Sequence, residues 1–182
     1  PVSDMDVELF LKEYEKMVAE SSVISISGSV PKGVGISMYA ELIKRAKAAG
    51  KKVVLDTSGN LLKESIKACP TMIKPNQDEI EDLLGITVKN REELIEGAVK
   101  LHQMGIPYVV VSLGGDGALV VCDEGCYTAR PPKIEVVNTV GCGDSMTAAF
   151  AVGFARDWEI QRILKYAIAV SSANAMTMET ES

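Results

Sequence analysis

The sequence predicts a single α/β domain, residues 1–182, with a doubly wound, mostly parallel sheet, helices on both faces and an antiparallel edge. Helical and β-rich segments alternate along the chain, which implies crossover connections between parallel strands. The runs 53–55 and 109–111 are continuously apolar, as in strands that are buried on both faces. A late cluster of short strands adds the antiparallel edge.

The predicted helices share apolar residues that recur every three or four positions. Gly50, Gly85 and Gly105 follow three of them, because glycine readily adopts the left-handed conformation found at helix C-termini. Asn76 is a suitable N-cap for the fourth helix. In chain order the helices cover 7–18, 38–46, 61–68, 77–84, 94–104, 145–156 and 159–177.

The predicted strands are short runs rich in β-branched and apolar residues. Pro75 ends the third of them, and the glycine-rich segment 114–117 predicts a hairpin turn between the fourth and the fifth. In chain order the strands cover 23–27, 53–55, 72–73, 109–111, 118–121, 126–129 and 134–137.

Composition excludes several classes of function. The net charge is −6, and lysine and arginine do not cluster, which argues against nucleic acid and anionic membranes as partners. The longest apolar or small-residue stretch, 146–155, is far shorter than the roughly 20 residues of a membrane-spanning helix. No secretory signal precedes the first helix. The four cysteines lack a zinc-site spacing, so we expect reduced thiols in a cytoplasmic protein.

The segment 138–145 carries the strongest chemical signal. Gly141 and Gly143 allow a tight turn, and the helix that follows adds free N–H groups and the positive end of its dipole. These features predict an anion site suited to phosphate. Asp144 lies within it. Spacing alone favours a helix-capping role for Asp144, and the functional alternative is a general base for a hydroxyl that attacks a phosphoryl group.

Two further segments are ambiguous when taken alone. Asn76 and Glu79 lie three residues apart on one helix face, where they can hold the water shell of Mg²⁺ or form a capping box, and spacing favours the capping box. The loop 112–117 fits either a hairpin turn or nucleotide contact. Because a strand follows this loop, it does not match the dinucleotide fingerprint, and a Rossmann dehydrogenase is disfavoured.

Taken in order, five segments resemble the ribokinase-like sugar kinases, specifically the phosphofructokinase B branch. They are Ser-Gly-Ser-Val-Pro-Lys-Gly (27–33), Asp-Thr-Ser-Gly (56–59), Lys-Pro-Asn-Gln-Asp-Glu (74–79), Ser-Leu-Gly-Gly-Asp-Gly-Ala (112–118) and Thr-Val-Gly-Cys-Gly-Asp-Ser (139–145).

The resemblance implies phosphoryl transfer from ATP, with Mg²⁺, to a hydroxyl of a phosphorylated ketohexose. It assigns Asp144 as the catalytic base and Gly141, Cys142 and Gly143 as the anion hole, with Cys142 standing where the family usually has alanine. It assigns Asn76 and Glu79 to Mg²⁺. The positions that it places on the nucleotide side are Lys74, Ser112, Gly114, Gly117, Gly143 and Asn174.

The resemblance covers the C-terminal, nucleotide-binding part of the family, and the N-terminal part with most sugar contacts and the lid strands is missing. We therefore expect little or no kinase activity from this chain alone, and self-association as a homodimer through exposed apolar surface. The segments 27–33 and 139–145 look most like those of enzymes that phosphorylate fructose 1-phosphate or tagatose 6-phosphate, and fructose 6-phosphate is a third candidate.

Two other functions stay open from the sequence. One is a nucleotide-binding module without catalysis, and the other is a kinase of the same superfamily that acts on another sugar or on a nucleoside. Product formation distinguishes the kinases from the module.

Overall fold

The computed structural model describes residues 2–177 as a mixed six-stranded sheet flanked by helices. The helices are α1 (Asp4–Glu20), α2 (Met38–Ala48), α3 (Gly59–Ser65), α4 (Gln77–Leu84), α5 (Arg91–Gln103), α6 (Cys142–Ala155) and α7 (Ile160–Ala175). The strands are β1 (Val23–Ser27), β2 (Lys52–Asp56), β3 (Met72–Ile73), β4 (Tyr108–Ser112), β5 (Ala118–Cys122) and β6 (Gly125–Ala129).

The strands lie in the sheet in the order in which they occur in the chain. β1 to β4 are parallel, and β5 and β6 are antiparallel to their neighbours. The turn at Gly114–Asp116 connects β4 to β5, as the glycine-rich segment predicts. The predicted α/β class, with its parallel sheet and antiparallel edge, is therefore confirmed.

Both faces of the sheet are covered by helices. Val53 and Leu55 point to one apolar cluster, formed with α1 to α5, whereas Val54 between them belongs to a second cluster, formed with α6 and α7. Since successive side chains of a strand point to opposite faces, a strand between two helical layers must be apolar throughout. This explains the continuous apolar runs of β2 and β4.

α6 and α7 form a closely packed pair on the second face. A Cβ atom placed on Gly153 of α6 would lie 2.6 Å from Cγ1 of Ile163 on α7, so the two helices approach too closely for a side chain there. Phe150 and Phe154 extend the apolar contact from α6. This pair matters for the site because α6 begins at the glycine turn and α7 ends beside it.

One predicted strand is wrong. The segment 134–137 forms no strand, because its end is bound to a helix instead of a neighbouring strand. The N–H groups of Val137 and Asn138 both donate to the carbonyl oxygen of Ala175, at 2.8 and 3.1 Å, at the end of α7. A second difference is the start of α6, which lies at Cys142 and not at Ser145.

Within residues 2–177, the helices are all too short or too polar to cross a membrane. The four cysteines, Cys69, Cys122, Cys126 and Cys142, are free thiols.

Candidate active site

The candidate site lies at the carboxyl edge of the parallel strands. β1, β2 and β4 end at Ser27, Asp56 and Ser112, and the short β3 leads directly into Lys74. In open parallel sheets this edge is where ligands bind. Four of the five sequence motifs therefore start at one edge of the sheet, and the fifth, the glycine turn at 139–143, enters α6 beside them.

The first turn of α6 presents two free backbone donors, and the N–H of Gly141 before it also has no acceptor among residues 2–177. Gly141 is the N-cap of α6 and has a φ of 79°, a left-handed conformation that favours glycine. The N–H of Cys142 donates to Thr139 O at 3.3 Å. Within residues 2–177, the N–H groups of Gly143 and Asp144 donate no hydrogen bond. Two unpaired donors at the positive end of a 14-residue helix form an arrangement suited to phosphate.

Asp144 does not cap the helix. The capping role expected from spacing alone is wrong, because the left-handed Gly141 starts the helix earlier and leaves Asp144 in its first turn. The carboxylate is exposed and lines a narrow cleft of about 310 Å³ between α6 and β1, together with Ser25 and Ser27. It is therefore available to a substrate hydroxyl.

A buried polar network lies next to the glycine turn. Asp56 Oδ2 accepts a hydrogen bond from Thr147 Oγ1 at 2.8 Å and lies 3.2 Å from Lys74 Nζ. Gly143 O lies 3.0 Å from Thr147 Oγ1 and is a second acceptor for the same hydroxyl proton. A Cβ atom on Gly143 would lie 3.3 Å from Lys74 Nζ, so the ammonium group is adjacent to the turn. The network thus places a positive charge beside the two free N–H groups.

Asp56 and Thr147 are the members of this network that sequence analysis did not identify as functional. Asp56 ends a buried strand and begins the motif Asp-Thr-Ser-Gly (56–59), so the sequence could have identified it. Thr147 is 97% buried on α6 and 91 positions from its partner Asp56, so no local pattern marks it.

Asn76 and Glu79 form the capping box of α4. Asn76 Oδ1 accepts from the N–H of Glu79 at 2.8 Å, and Glu79 Oε2 accepts from the N–H of Asn76 at 2.9 Å. Burial raises the pKa of Glu79, while the hydrogen bond from Asn76 and the charge of Lys74 lower it and Asp56 raises it further. The capping box is therefore present, and Glu79 also lies within electrostatic reach of the network at the glycine turn.

The oxygen atoms of the side chains at this edge suit a magnesium ion that keeps part of its water shell. They do not form a complete set of protein ligands for a metal. Asn76, Glu79 and Asp56 offer oxygen atoms, which Mg²⁺ prefers, and it usually keeps several waters and binds substrate phosphates. In the part of the chain that the structure describes, no group of three or more histidine, cysteine, aspartate or glutamate side chains converges on a metal position. Such an arrangement suits an ion bound partly through water.

A cavity of about 490 Å³ lies next to the glycine turn. It is bounded by the β4–β5 loop, by the segment 131–139 and by α6 and α7. Its volume falls in the range of small-molecule and cofactor sites. Of the predicted site residues, those that line it are Ser112, Gly114, Gly117, Cys142 and Gly143.

Gly117 has a structural reason to be glycine as well. Its φ is 96°, and a Cβ atom there would lie 2.1 Å from Ala129 O, so no side chain fits. The close approach holds the β4–β5 loop against β6 and fixes one wall of the cavity.

Asn174 is not among the residues that line the cavity. Its Nδ2 donates to Val140 O at 2.8 Å and lies 3.4 Å from Cys142 Sγ. The structure therefore brings Asn174 against the glycine turn, which contains Gly143, and away from the β4–β5 loop that carries Ser112, Gly114 and Gly117.

Comparison with known proteins shows the family of the chain. The family model for pfkB family carbohydrate kinases matches residues 1–182. The chain belongs to this family. The family resemblance drawn from the five motifs is thereby confirmed.

This pfkB family chain has relatives with named activities. It is 32% identical to the 1-phosphofructokinase of Bacillus subtilis, over 98% of its own length and 58% of that protein's. It is 37% identical to the tagatose-6-phosphate kinase of Staphylococcus epidermidis, over 95% of its own length and 57% of that protein's. The chain therefore spans somewhat more than half the length of these relatives.

The fold agrees with a solved member of the family. The crystal structure of phosphofructokinase-2 from Escherichia coli in complex with potassium matches with a TM-score of 0.86 and 31% identity. The match covers 93% of this pfkB family chain and 56% of that one.

Proposed function

We propose that this chain carries the ATP-binding and catalytic part of a kinase that phosphorylates a ketohexose phosphate to a bisphosphate. The observation that supports this most is the glycine turn. Two free N–H groups, the Lys74 ammonium group and the Asp144 carboxylate meet there at one helix N-terminus, beside a cavity of nucleotide size. Phosphoryl transfer depends mainly on such positioning and charge stabilisation.

Asp144 accepts the proton of the sugar hydroxyl as that oxygen attacks the γ-phosphorus of ATP. The bond between the γ-phosphorus and the oxygen that bridges it to the β-phosphate breaks, and ADP leaves. In the anion hole formed by the Gly141-Cys142-Gly143 turn and the following Asp144, the unpaired N–H groups of Gly141, Gly143 and Asp144 stabilise the negative charge on the transferring group. Lys74 adds a positive charge beside it. The exposed position of Asp144, free of capping contacts, supports its role as the base.

The remaining predicted residues bind the nucleotide and magnesium. Ser112, Gly114 and Gly117 form the loop along the cavity, and Gly143 meets the phosphates. Asn76 and Glu79 hold Mg²⁺ through water, and the ion neutralises phosphate charge when it is bound. The contacts of Asn174 support a role at the glycine turn more than one at the nucleobase.

The names of the relatives favour fructose 1-phosphate and tagatose 6-phosphate as acceptors, with fructose 6-phosphate as a third. A cytoplasmic location stays a prediction from the sequence. Self-association as a homodimer stays a prediction, and a relative, phosphofructokinase-2 of Escherichia coli, has a solved tetrameric form.

The test is ADP release with MgATP and each of the three ketohexose phosphates, with unphosphorylated fructose as the control acceptor. It is run on this chain and on any longer natural protein that contains it. ADP release that depends on one ketohexose phosphate supports the proposal. MgATP binding without acceptor-dependent release in either protein contradicts it and leaves a nucleotide-binding module. Absence of MgATP binding overturns both functions.

A further inference from the structure

The end of α7 is attached to the glycine turn by side chains three residues apart. Ser171 Oγ donates to Cys142 O at 3.1 Å, and Asn174 Nδ2 donates to Val140 O at 2.8 Å. Residues at this spacing lie on the same face of a helix. One face of α7 therefore binds two carbonyl groups of the turn at once.

These two carbonyl groups set the direction of the N–H groups in the turn. A peptide unit is planar, so the carbonyl of one residue and the N–H of the next point in opposite, fixed directions. Holding Cys142 C=O therefore fixes the N–H of Gly143, which is one of the two free donors. Holding Val140 C=O fixes the N–H of Gly141 in the same way.

The turn needs such restraint because the backbone of a glycine is not restricted by a side chain. Gly141 has a φ of 79°, and a glycine reaches many other conformations at low cost. A Cβ atom on Gly141 would lie 3.5 Å from Asn174 Nδ2, so the amide group packs directly on this residue. Asn174 thus restrains the peptide at which the helix begins.

Backbone contacts attach the preceding residues to the same helix end. Ala175 O accepts hydrogen bonds from the N–H groups of Val137 and Asn138. Asn138 Oδ1 in turn accepts from the N–H of Val140 at 3.0 Å. The end of α7 therefore binds the segment that precedes the turn through its backbone, and it binds the turn itself through the side chains of Ser171 and Asn174.

We infer that Ser171 and Asn174 are positioning residues that hold the anion-binding N–H groups in place for phosphoryl transfer. This inference rests on the proposed function. It gives Asn174 a role that can be distinguished from contact with the nucleobase. A residue that orients the turn affects every nucleoside triphosphate alike, whereas a residue at the nucleobase discriminates among them.

The test compares Ser171→Ala and Asn174→Ala with Ser171→Thr, which keeps the hydroxyl group. Gln161→Ala, at an exposed position of the same helix, is the matched control. Each alanine variant removes one hydrogen bond that orients the turn, so in the longer natural protein that contains this chain we expect kcat to fall by about 2- to 10-fold. The fall in kcat and any rise in KM for the nucleotide are the same with ATP and GTP, and Ser171→Thr retains activity.

Other results overturn the inference. A raised KM for ATP with unchanged kcat and unchanged GTP kinetics places Asn174 at the nucleobase. Losses in Ser171→Thr as large as in Ser171→Ala, in proportion to a lowered melting temperature, show a structural role only.

A binding measurement tests the inference even where the proposed function fails. Without ADP release from the wild type, binding of inorganic tripolyphosphate to this chain replaces kinetics as the readout. We expect affinity weakened by about 2- to 10-fold in both alanine variants, the range that corresponds to one lost hydrogen bond between neutral groups. Wild-type affinity in both variants contradicts the inference.

Discussion

The carboxylate of Asp144 makes no helix-capping contact because of the glycines that precede it. The left-handed Gly141 begins α6, so the helix needs no side-chain cap from the residue three positions later. An aspartate in the first turn of a helix is normally stabilised by the dipole. Here the same N-terminus also has unpaired N–H groups that favour a phosphate beside the carboxylate.

Asp144→Asn, made in the longer natural protein that contains this chain, tests the role of the base. The amide keeps the shape but cannot accept the proton, so we expect turnover to fall by about 10²- to 10⁴-fold. MgATP affinity stays within about twofold, because the change affects the transition state more than the ground state. The measurements are kcat from ADP release and Kd from calorimetry.

The control for this variant is Asp123→Asn, in the turn between β5 and β6 at the opposite end of the sheet, where the carboxylate is 95% exposed. It should leave kcat unchanged. An Asp144→Asn protein that loses binding and turnover to the same extent contradicts the assignment of Asp144 as the base.

Most residues of the candidate site are visible in the sequence, and those that were missed have distant partners. Ser112, Gly114 and Gly117 stand out because they follow a buried strand. Thr147 and Ser171 do not, since their hydrogen-bond partners Asp56 and Cys142 lie 91 and 29 positions away. Only the fold brings these pairs together.

At the scale of elements, the packing of α6 against α7 determines where the glycine turn lies. α6 starts at the turn and α7 ends against it, so a shift between the two helices would move the N–H groups relative to Lys74. Gly153 is the point of closest approach, facing Ile163.

Gly153→Ala tests this packing. Helix propensity alone favours alanine by about 1 kcal/mol, but the added methyl group overlaps Ile163 and overpacking costs about 1–3 kcal/mol. We expect the free energy of unfolding in urea to fall. Gly115→Ala, with no atom within 4 Å of the new Cβ, is the control. A Gly153→Ala protein that is more stable than the wild type contradicts the close packing.

α1 is attached to α2 by a buried tyrosine. Tyr14 OH donates to Leu42 O at 2.9 Å, and burial raises the pKa of Tyr14 to about 12. The pKa of Tyr14 in the folded state is higher than the value of about 10 in the unfolded state. The protonated hydroxyl group therefore makes its full contribution to folding stability below pH 10. It is lost as the pH rises towards 12.

Tyr14→Phe removes this titration. We expect the wild type to lose stability progressively above about pH 10, and the variant to lose less over the same range. Burial also raises the pKa of Tyr39 and Tyr108, so some alkaline loss remains in the variant. Urea unfolding at a series of pH values measures the difference. Equal slopes for the two proteins would show that Tyr14 ionises freely in the folded state.

At the scale of the whole molecule, the fold follows from the order of helices and strands in the sequence. Continuous apolar runs predict β2 and β4 because both faces of the sheet are covered. The wrong strand at 134–137 has the same apolar character, but its neighbour in space is the end of α7, which is remote in sequence. Periodicity predicts what a segment prefers, and it does not identify the neighbour that takes its hydrogen bonds.

The site is formed by the whole sheet edge together with α6 and α7. β1, β2 and β4 and the segment after β3 contribute one motif each. The chain has a net charge of −6, so the positive groups available to an anion at this edge are local ones, the unpaired N–H groups of the glycine turn and the ammonium group of Lys74. Anion binding is therefore a property of this edge and not of the surface as a whole.

The most direct measurement is amide hydrogen exchange of this chain with and without MgATP, followed by peptide along the sequence. The account predicts slower exchange in two segments, 140–145 at the glycine turn and 112–117 at the cavity loop, and little change in α1. Slower exchange confined to other segments, or none on addition of MgATP, would contradict the placement of the nucleotide at the glycine turn.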